Sequence, residues 1–342
     1  MNYTLKVVRI KRETEDTVTL CFKQPGLKKI KYLPGQYLTL IFRINGRRYI
    51  RPYSFSSCPV VDDLLEITVK RVQNGTVSNH INDKVQEGDS IEVLQPMGEF
   101  VYIHNSDIKN IYLWGVGSGI TPLISIAKHI LHSHKEVVVN LIYGNRNHES
   151  TIFMNQITEL ANKFELFKVW HFHTRLAINF NNPNYIEGRI DQRKALDILN
   201  SGEGIFSSSH YICGPQGLKE SVKLALSQFG VQMDSVFSEE FELVKDPKDF
   251  IDIVSRTVKI GFEGKQYELE VVKGKTILEA ALDADIELPY SCQTGNCSTC
   301  KGKLVQGASK MIGLNKVRED LKHDEYLLCC THPLTENVYI EI

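Results

Sequence analysis

The sequence predicts three domains in series: an antiparallel β-barrel, a doubly wound parallel α/β sheet, and a small α+β domain of β-grasp type. Short β-branched and aromatic runs separated by turn signals fill roughly the first hundred residues, and apolar strands then alternate with helical stretches. Near the C-terminal end, three cysteines with the spacing C-x4-C-x2-C indicate a metal-binding loop. We place the domains at residues 1–104, 105–242 and 256–342, with 243–255 as a linker.

Length and composition exclude several classes of protein. A chain of 342 residues is longer than one hydrophobic core normally serves, and 42% hydrophobic with 24% charged residues is ordinary for a globular protein. A net charge of −1 argues against a nucleic-acid binder, and no apolar run reaches the length of a membrane span. Because no signal-peptide apolar region is visible, we expect a cytoplasmic protein whose eight cysteines are metal ligands or buried thiols.

Two patches of the predicted barrel have side chains suited to a phosphate-bearing ring system. The first contains Arg51, Tyr53 and Ser54, which offer a guanidinium fork, a flat aromatic face and a hydroxyl. The second runs from Val69 to Asn79, where a glycine turn opens a predicted helix whose free N–H groups would hold an anion. Each patch alone also fits an ordinary strand or hairpin turn, but their joint occurrence favours binding.

The parallel sheet has a glycine-rich segment after its first predicted strand. Gly115, Gly117 and Gly119 alternate before a Thr-Pro pair, which allows the backbone to approach a pyrophosphate at a helix N-terminus. Arg146 and Arg175 follow the next two predicted strands and would meet a 2′-phosphate, which favours NADPH over NADH. Either arginine also fits a solvated surface cation.

Two further features of this domain have both a structural and a functional interpretation. Cys213 ends the fourth predicted strand before Gly-Pro, and a buried thiol before a tight turn is the structural alternative. Glu239 and Phe241 follow the last helix, where a solvated acidic patch is the alternative.

The C-terminal domain is predicted to hold a 2Fe–2S cluster. A helix at 277–284 carries a capping box from Thr276 to Glu279, and the cysteine loop follows it. Its thiols match the plant-type ferredoxin spacing, whereas a structural zinc site normally uses paired C-x2-C knuckles and only one is present. The spacing leaves Cys329 and Cys330 as alternatives for the fourth ligand. The ligands that we assign on this spacing are Cys292, Cys297 and Cys300.

The ordered motifs resemble the ferredoxin–NADP reductase superfamily. They are Arg51-x-Tyr53-Ser54, Gly75-x-x-Ser78, the segment 115–122, Cys213-Gly214-Pro215 and Glu239-x-Phe241. With a C-terminal plant-type ferredoxin domain, the whole chain looks like an oxygenase-type reductase, in the branch of the reductases of phenylacetyl-CoA epoxidase and of the hybrid-cluster protein. In such relatives the fourth cluster cysteine precedes a proline by four positions, which selects Cys329 before Pro333.

The resemblance implies a role for each matching residue. Ser54, Cys213 and Glu239 would lie at the site of hydride transfer. The flavin would be FAD, and the nucleotide NADPH or NADH. The implied contacts to flavin and nucleotide are Arg51, Tyr53, Ser54, Lys70, Gly75, Val77, Ser78, Gly117, Gly119, Thr121, Pro122, Arg146, Arg175 and Phe241.

The implied function is electron transfer from NAD(P)H through FAD and the cluster, singly, to a separate oxygenase, desaturase or similar metalloenzyme. One alternative is an electron-transfer subunit fixed in a larger complex, although the 28 residues between Cys300 and Cys329 argue against the relative of that kind. The other alternative is a zinc- or cluster-bearing module that senses redox state without turnover.

Overall fold

The computed structural model describes residues 2–26, 29–175, 182–202, 204–243, 245–314 and 317–342. The chain forms two compact units. One comprises Met1–Leu40 and Tyr53–Glu240, and the other comprises Ile41–Pro52 and Phe241–Ile342. Within the described residues, none of the helices is both long and apolar enough to cross a membrane.

The N-terminal sheet has six strands, and one short helix accompanies them. These elements are β1 (Asn2–Thr14), β2 (Thr17–Phe22), β3 (Tyr37–Ile44), β4 (Arg47–Ser54), β5 (Leu65–Lys70), α1 (Thr76–Asp83) and β6 (Ser90–Leu94). The strand order is β4-β3-β6-β1-β2-β5, and β1 pairs antiparallel with both β2 and β6. An isolated antiparallel bridge joins Phe55, just beyond β4, to Ile67 of β5, so the two outer strands approach each other as in a barrel.

The second sheet is parallel and has helices on both faces. Its elements are β7 (Asn110–Val116), α2 (Ile120–Ser133), β8 (Val138–Asn145), α3 (Met154–Lys163), β9 (Phe167–His173), β10 (Tyr185–Glu187), α4 (Gln192–Ser201), β11 (Ser208–Cys213), α5 (Gln216–Phe229) and β12 (Val236–Glu239). The order β10-β9-β8-β7-β11-β12 reverses direction at β7, which confirms the predicted doubly wound fold. The sequence pattern does not predict β10 and β12, because both are too short to show a period.

Residues of β7 show how the two faces of this sheet are covered. Ile111 and Leu113 pack in one hydrophobic cluster, whereas Tyr112 and Trp114 pack in the other. Successive side chains of a strand point to opposite faces, so a continuous apolar run is what a strand buried on both faces requires.

The C-terminal part forms a mixed sheet of β-grasp type with one helix. Its elements are β13 (Arg256–Phe262), β14 (Lys265–Val271), α6 (Ile277–Asp283), β15 (Lys301–Gln306), β16 (Ser309–Met311), β17 (Glu325–Leu327), β18 (Thr331–Pro333) and β19 (Val338–Glu341). The five-stranded order is β14-β13-β19-β15-β17, and β16 pairs with β18. The predicted capping box is confirmed, since Thr276 Oγ1 accepts from Glu279 N and Glu279 Oε2 accepts from Thr276 N.

Candidate functional site

The glycine-rich segment lies at the carboxyl end of β7, where the strand order reverses. Gly115 belongs to the strand, residues Gly117–Gly119 form one turn of 3-10 helix, and α2 begins at Ile120. Thr121 and Pro122 therefore lie in the first turn of α2 rather than in the loop that the sequence pattern predicts. Proline is tolerated there because first-turn N–H groups lack helical partners.

The turn itself is shaped for close approach by a ligand. Gly117 has φ +56°, and a Cβ built on it would meet no atom within 4 Å, so the space above the turn is open. The Tyr143 hydroxyl donates to Gly117 O at 2.9 Å, and Thr121 Oγ1 donates to Ser118 O at 3.1 Å. This open, braced turn ahead of a helix N-terminus fits a nucleotide pyrophosphate.

Three adjacent strands bring Gly115, Cys213 and Glu239 into one row. In the strand register, Cys213 pairs with Gly115 on β7 and with Glu239 on β12. A Cβ added to Gly119 would lie 2.1 Å from Cys213 O, so only glycine lets the turn come so close to this strand end. Burial, and then the charge of Glu239, raises the pKa of the Cys213 thiol well above its ordinary value. This cysteine is therefore an uncharged group beside the glycine turn.

Glu239 is linked to the end of β4 by a hydrogen bond. The Ser54 hydroxyl, which is buried, donates to Glu239 Oε2 at 3.4 Å. Burial of the carboxyl raises the pKa of Glu239 to about 8, and the Ser54 hydrogen bond acts in the opposite direction. The three residues expected at the hydride-transfer site, Ser54, Cys213 and Glu239, are thus brought together from two sheets. Glu239 reaches this position on β12, a strand that the sequence pattern does not predict.

The second barrel patch forms the N-terminus of α1. Gly75 is the N-cap residue, and a Cβ there would lie 2.7 Å from Ser78 Oγ. The Ser78 hydroxyl accepts from Val72 N at 3.1 Å and donates to Gly75 O at 3.4 Å, so it holds the turn in place. Val77, in the first turn of α1, has a buried side chain. The N–H groups of the first helical turn remain the donors for an anion.

The other predicted flavin contacts differ in exposure and partners. Tyr53 is half-buried at the end of β4, and Lys70 Nζ lies 3.6 Å from Asp16 Oδ2. Phe241 is exposed. Arg51 donates from Nη1 to Ile50 O at 2.8 Å, with its guanidinium 6.0 Å from the centre of the Tyr49 ring.

Arg146 and Arg175 follow neighbouring parallel strands and are joined directly. Arg175 N donates to Arg146 O at 2.8 Å, and Thr174 N donates to Asn145 O at 3.1 Å. Both arginine side chains are exposed at the carboxyl edge of the sheet. Two cations on adjacent chain segments at this edge fit a phosphate ester.

The cysteine loop holds its thiols around Cys292. The sulfur of Cys292 accepts backbone N–H groups from Thr294 at 3.5 Å and from Cys297 at 3.3 Å. Gln293 and Gly295 both have positive φ, +59° and +74°, which curls the loop inward. Hydrogen bonds from the thiols of Cys297 and Cys329 lower the pKa of Cys292 to about 2. A set of thiols with N–H donors aimed at sulfur fits a 2Fe–2S cluster.

The two adjacent cysteines of the fourth-ligand position have different partners. The Cys329 thiol hydrogen-bonds with Cys292 and Cys300 as well as with Cys330. The Cys330 thiol instead donates to Leu327 O at 3.2 Å. The geometry therefore supports Cys329 as the fourth ligand.

Arg318 is hydrogen-bonded to the cluster loop, and no sequence motif predicts this role. Its guanidinium donates to Gly295 O, to Ser298 Oγ at 2.8 Å and to Cys297 O at 3.5 Å. Two more bonds, from Nε and Nη2, reach the carboxylate of Asp320 at 2.7 Å. Only 6% of the Arg318 side chain is exposed, whereas its partner Asp320 is exposed.

The cluster loop is also hydrogen-bonded to the strand that contains Arg51. Gln293 Nε2 donates to Ile50 O at 3.2 Å, and Ile50 N donates to Tyr290 Oη at 3.1 Å. Tyr290 and Gln293 lie on either side of Cys292 in the sequence. The β3–β4 hairpin is further attached through Arg47, which pairs with Asp283 Oδ1 at 2.8 Å. Sequence motifs gave no signal for these contacts, because they join segments more than 200 residues apart.

Three family models match the chain in this order. They are an oxidoreductase FAD-binding domain at residues 4–102, an oxidoreductase NAD-binding domain at 113–223, and a 2Fe-2S iron-sulfur cluster binding domain at 260–335. The matches cover the barrel patches, the glycine turn with Cys213, and the four predicted cluster cysteines. The cofactors FAD, NAD(P)H and a 2Fe–2S cluster are those predicted from the sequence.

Several characterised proteins are similar over nearly their whole length. The ferredoxin reductase component of 3-ketosteroid-9-alpha-monooxygenase from Rhodococcus rhodochrous is 32% identical, with 98% of this chain and 96% of the relative covered. One subunit of the 1,2-phenylacetyl-CoA epoxidase from Escherichia coli (strain K12) is 28% identical, with 99% and 97% covered. The solved structure of phthalate dioxygenase reductase superposes with a TM-score of 0.69 at 23% identity, covering 100% of this chain and 98% of that one.

Proposed function

Because this chain belongs to the family of ferredoxin-reductase-type reductase components of oxygenase systems, we propose that it carries electrons from NADPH to a separate partner oxygenase or similar metalloenzyme. The relatives are components of a ketosteroid monooxygenase and of a phenylacetyl-CoA epoxidase. We therefore expect an oxygenase to accept the electrons. We place the protein in the cytoplasm. None of the eight cysteines forms a disulfide, and thiols that stay reduced or bind a cluster suit a reducing compartment.

The observation that carries the proposal is the row of Gly115, Cys213 and Glu239 with Ser54 bonded to its end. When bound, FAD accepts the hydride of NAD(P)H as an electron pair and the cluster takes electrons one at a time. The chain supplies the positions. The glycine turn and the N-terminus of α2 orient the pyrophosphate, and uncharged Cys213 keeps the nicotinamide end free of competing charge.

Ser54 and Glu239 act on the flavin side of this row. The Ser54 oxygen can accept a hydrogen bond from a polar ring edge, and the bond that the hydroxyl donates to Glu239 holds it in place. Tyr53 adds a flat face, while Gly75, Ser78 and the first turn of α1 bind the flavin pyrophosphate. Arg51 supplies a guanidinium donor to phosphate.

Arg146 and Arg175 set the choice of nucleotide in this proposal. Their side chains are exposed at the edge where the ribose of the bound nucleotide would lie, and a pair of guanidinium groups stabilises a 2′-phosphate. NADPH is therefore the preferred donor over NADH. The cluster is held by Cys292, Cys297, Cys300 and Cys329, and its loop is the exit of the electrons.

An anaerobic titration of the purified protein with NADPH, followed by visible spectroscopy and repeated with NADH, tests the proposal. The expected result is a flavin and cluster spectrum that NADPH bleaches at lower concentration than NADH. Equal bleaching by the two nucleotides would overturn the NADPH preference, and a flavin spectrum without a cluster would overturn the exit route. A flavin that neither nucleotide bleaches would overturn the reductase function and favour a redox-sensing module.

A further inference from the structure

A histidine cluster lies where the chain leaves the barrel and where α2 ends. It comprises Tyr102, His104, His129, His134 and Glu136, and none of these residues has a part in the proposed electron transfer. One ligand atom each of His104, His134 and Glu136 lies within 4.8 Å of the other two. Imidazole nitrogens with a carboxylate oxygen are the donors that Zn²⁺ and similar divalent ions prefer.

The backbone holds these ligands in place before any ion binds. His134 is the C-cap residue of α2, its N–H donating to Ile130 O at 2.7 Å, and its carbonyl accepts from Val137 N at 3.1 Å. Because Glu136 lies inside this short turn, the chain keeps its backbone close to that of His134.

The side chains around the ligands resemble the surroundings of a metal site. Tyr102 Oη is 3.2 Å from His104 Nδ1, so this hydrogen bond occupies Nδ1 and leaves Nε2 available to an ion. The rings of His104 and His134 stack in parallel, with centres 4.0 Å apart. His129, whose ring centre is 5.7 Å from that of His134, has a buried Nδ1 without a hydrogen-bond partner among the described residues.

We propose that His104, His134 and Glu136 bind Zn²⁺, with water as the fourth ligand, and that the ion ties the segment leaving the barrel to the end of α2. Tetrahedral coordination at bond lengths of about 2.1 Å draws the ligand atoms to roughly 3.4 Å from one another. The two stacked rings turn out of their parallel arrangement to reach this geometry. Both rings are accessible enough to do so, since His104 is exposed and His134 is half-buried.

The site is independent of electron transfer because it lies at the opposite edge of the parallel sheet. α2 begins beside the glycine turn at the carboxyl edge and ends at Ser133, next to the start of β8. An ion there stabilises the fold without touching Cys213 or Glu239. The expected effects are therefore on zinc content and thermal unfolding, with nucleotide-dependent reduction of the flavin unchanged.

The test uses the complete protein with flavin and cluster bound, treated with a chelator and then dialysed against Zn²⁺. Elemental analysis should find one zinc per chain in addition to the cluster iron, and the unfolding midpoint should rise with zinc. His104→Ala and Glu136→Gln should lose both effects. Tyr102→Phe should keep the site but weaken zinc binding by about tenfold, because it removes only the hydrogen bond that orients His104.

His132→Ala is the matched control, because this histidine is on the same last turn of α2 but is used otherwise. Its Nδ1 lies 2.8 Å from Lys128 O, and its ring packs against Phe164. This variant should bind zinc like the wild type. The proposal is overturned if the wild type keeps no zinc after dialysis, or if His132→Ala loses as much as His104→Ala. Flavin and cluster spectra verify that each variant is folded. If His104→Ala does not fold, Glu136→Gln, which preserves the shape of the side chain, tests the zinc site instead.

Discussion

Two cysteine environments in this molecule differ in the charge that they favour. Cys213, at the end of β11, is buried beside Glu239, and its pKa is raised well above the ordinary value. Cys292, in the cluster loop, accepts two backbone N–H bonds and thiol hydrogen bonds, and its pKa is lowered to about 2. Both side chains are buried, so burial alone does not decide the ionisation of a thiol. At Cys292 the hydrogen bonds donated to the sulfur outweigh the effect of burial on the pKa.

The difference matches the chemistry proposed for the two regions. A hydride-transfer site works best when no fixed anion competes with the nicotinamide and flavin rings, and Cys213 together with a carboxyl of raised pKa provides this. An iron–sulfur centre needs thiolates as ligands, and the curled loop provides two backbone N–H donors for the sulfur of Cys292. The following substitutions and measurements test whether the two regions differ in this way.

Replacing the cluster ligands is expected to have the largest effect. Cys329→Ser should remove nearly all of the cluster's visible absorbance while NADPH still reduces the flavin. Cys330→Ser is the matched control and should retain the cluster, since its thiol is directed to Leu327 O. Visible and electron paramagnetic resonance spectra measure both. A cluster that survives Cys329→Ser and is lost in Cys330→Ser would reverse the assignment.

Removing the guanidinium that is hydrogen-bonded to the cluster loop should have the second-largest effect. Arg318→Ala deletes bonds to Gly295 O and Ser298 Oγ, and hydrogen bonds from a charged donor contribute about 1.5 kcal/mol or more each, so the loss is on the order of 3 kcal/mol. The urea concentration at which cluster absorbance disappears should fall accordingly. Lys310→Ala, at an exposed position of β16, should leave it unchanged. Equal midpoints for the two variants would remove Arg318 from this role.

The nucleotide edge should show a specific loss of affinity for NADPH. Arg175→Ala removes a charged donor to a 2′-phosphate, worth about 1.5 kcal/mol or roughly tenfold in KM for NADPH, with little change for NADH. Lys168→Ala changes an exposed cation near the other end of β9 and should affect neither nucleotide. Steady-state kinetics with both nucleotides measure the ratio. An equal loss for NADPH and NADH would exclude Arg175 as a 2′-phosphate ligand.

The smallest effect, measured per pH unit, should be a change in how stability depends on pH. The pKa of Glu239 is about 8 in the folded chain against an ordinary 4.5, so the folded state keeps a proton that the unfolded state releases. Stability should therefore fall as pH rises from about 4.5 to 8, with a slope on the order of 0.5 to 1 kcal/mol per pH unit after allowing for partial exposure. Glu239→Gln should remove this slope. Urea unfolding at pH 6 and pH 8 measures it, and identical slopes in the two proteins would contradict the buried carboxyl.

Much of the fold and part of the site follow from the sequence alone. The period of the apolar residues determined the strand or helix identity of the longer elements, and local hydrogen bonds determined the capping box of α6. The glycine turn and the cysteine spacing were visible because their chemistry lies within a few consecutive residues. β10 and β12 escaped because three or four residues are too few to show a period.

Only the tertiary structure decided which distant residues meet. The bond from Ser54 to Glu239 and the hydrogen bonds from Arg318 to the cluster loop join segments that are separated along the chain. A single sequence records no partner for a lone arginine or serine, because such contacts arise from the packing of whole elements. Local chemistry thus predicted the cysteine loop, whose N–H donors to Cys292 lie within five residues, whereas long-range packing placed the buried Cys213 beside Glu239.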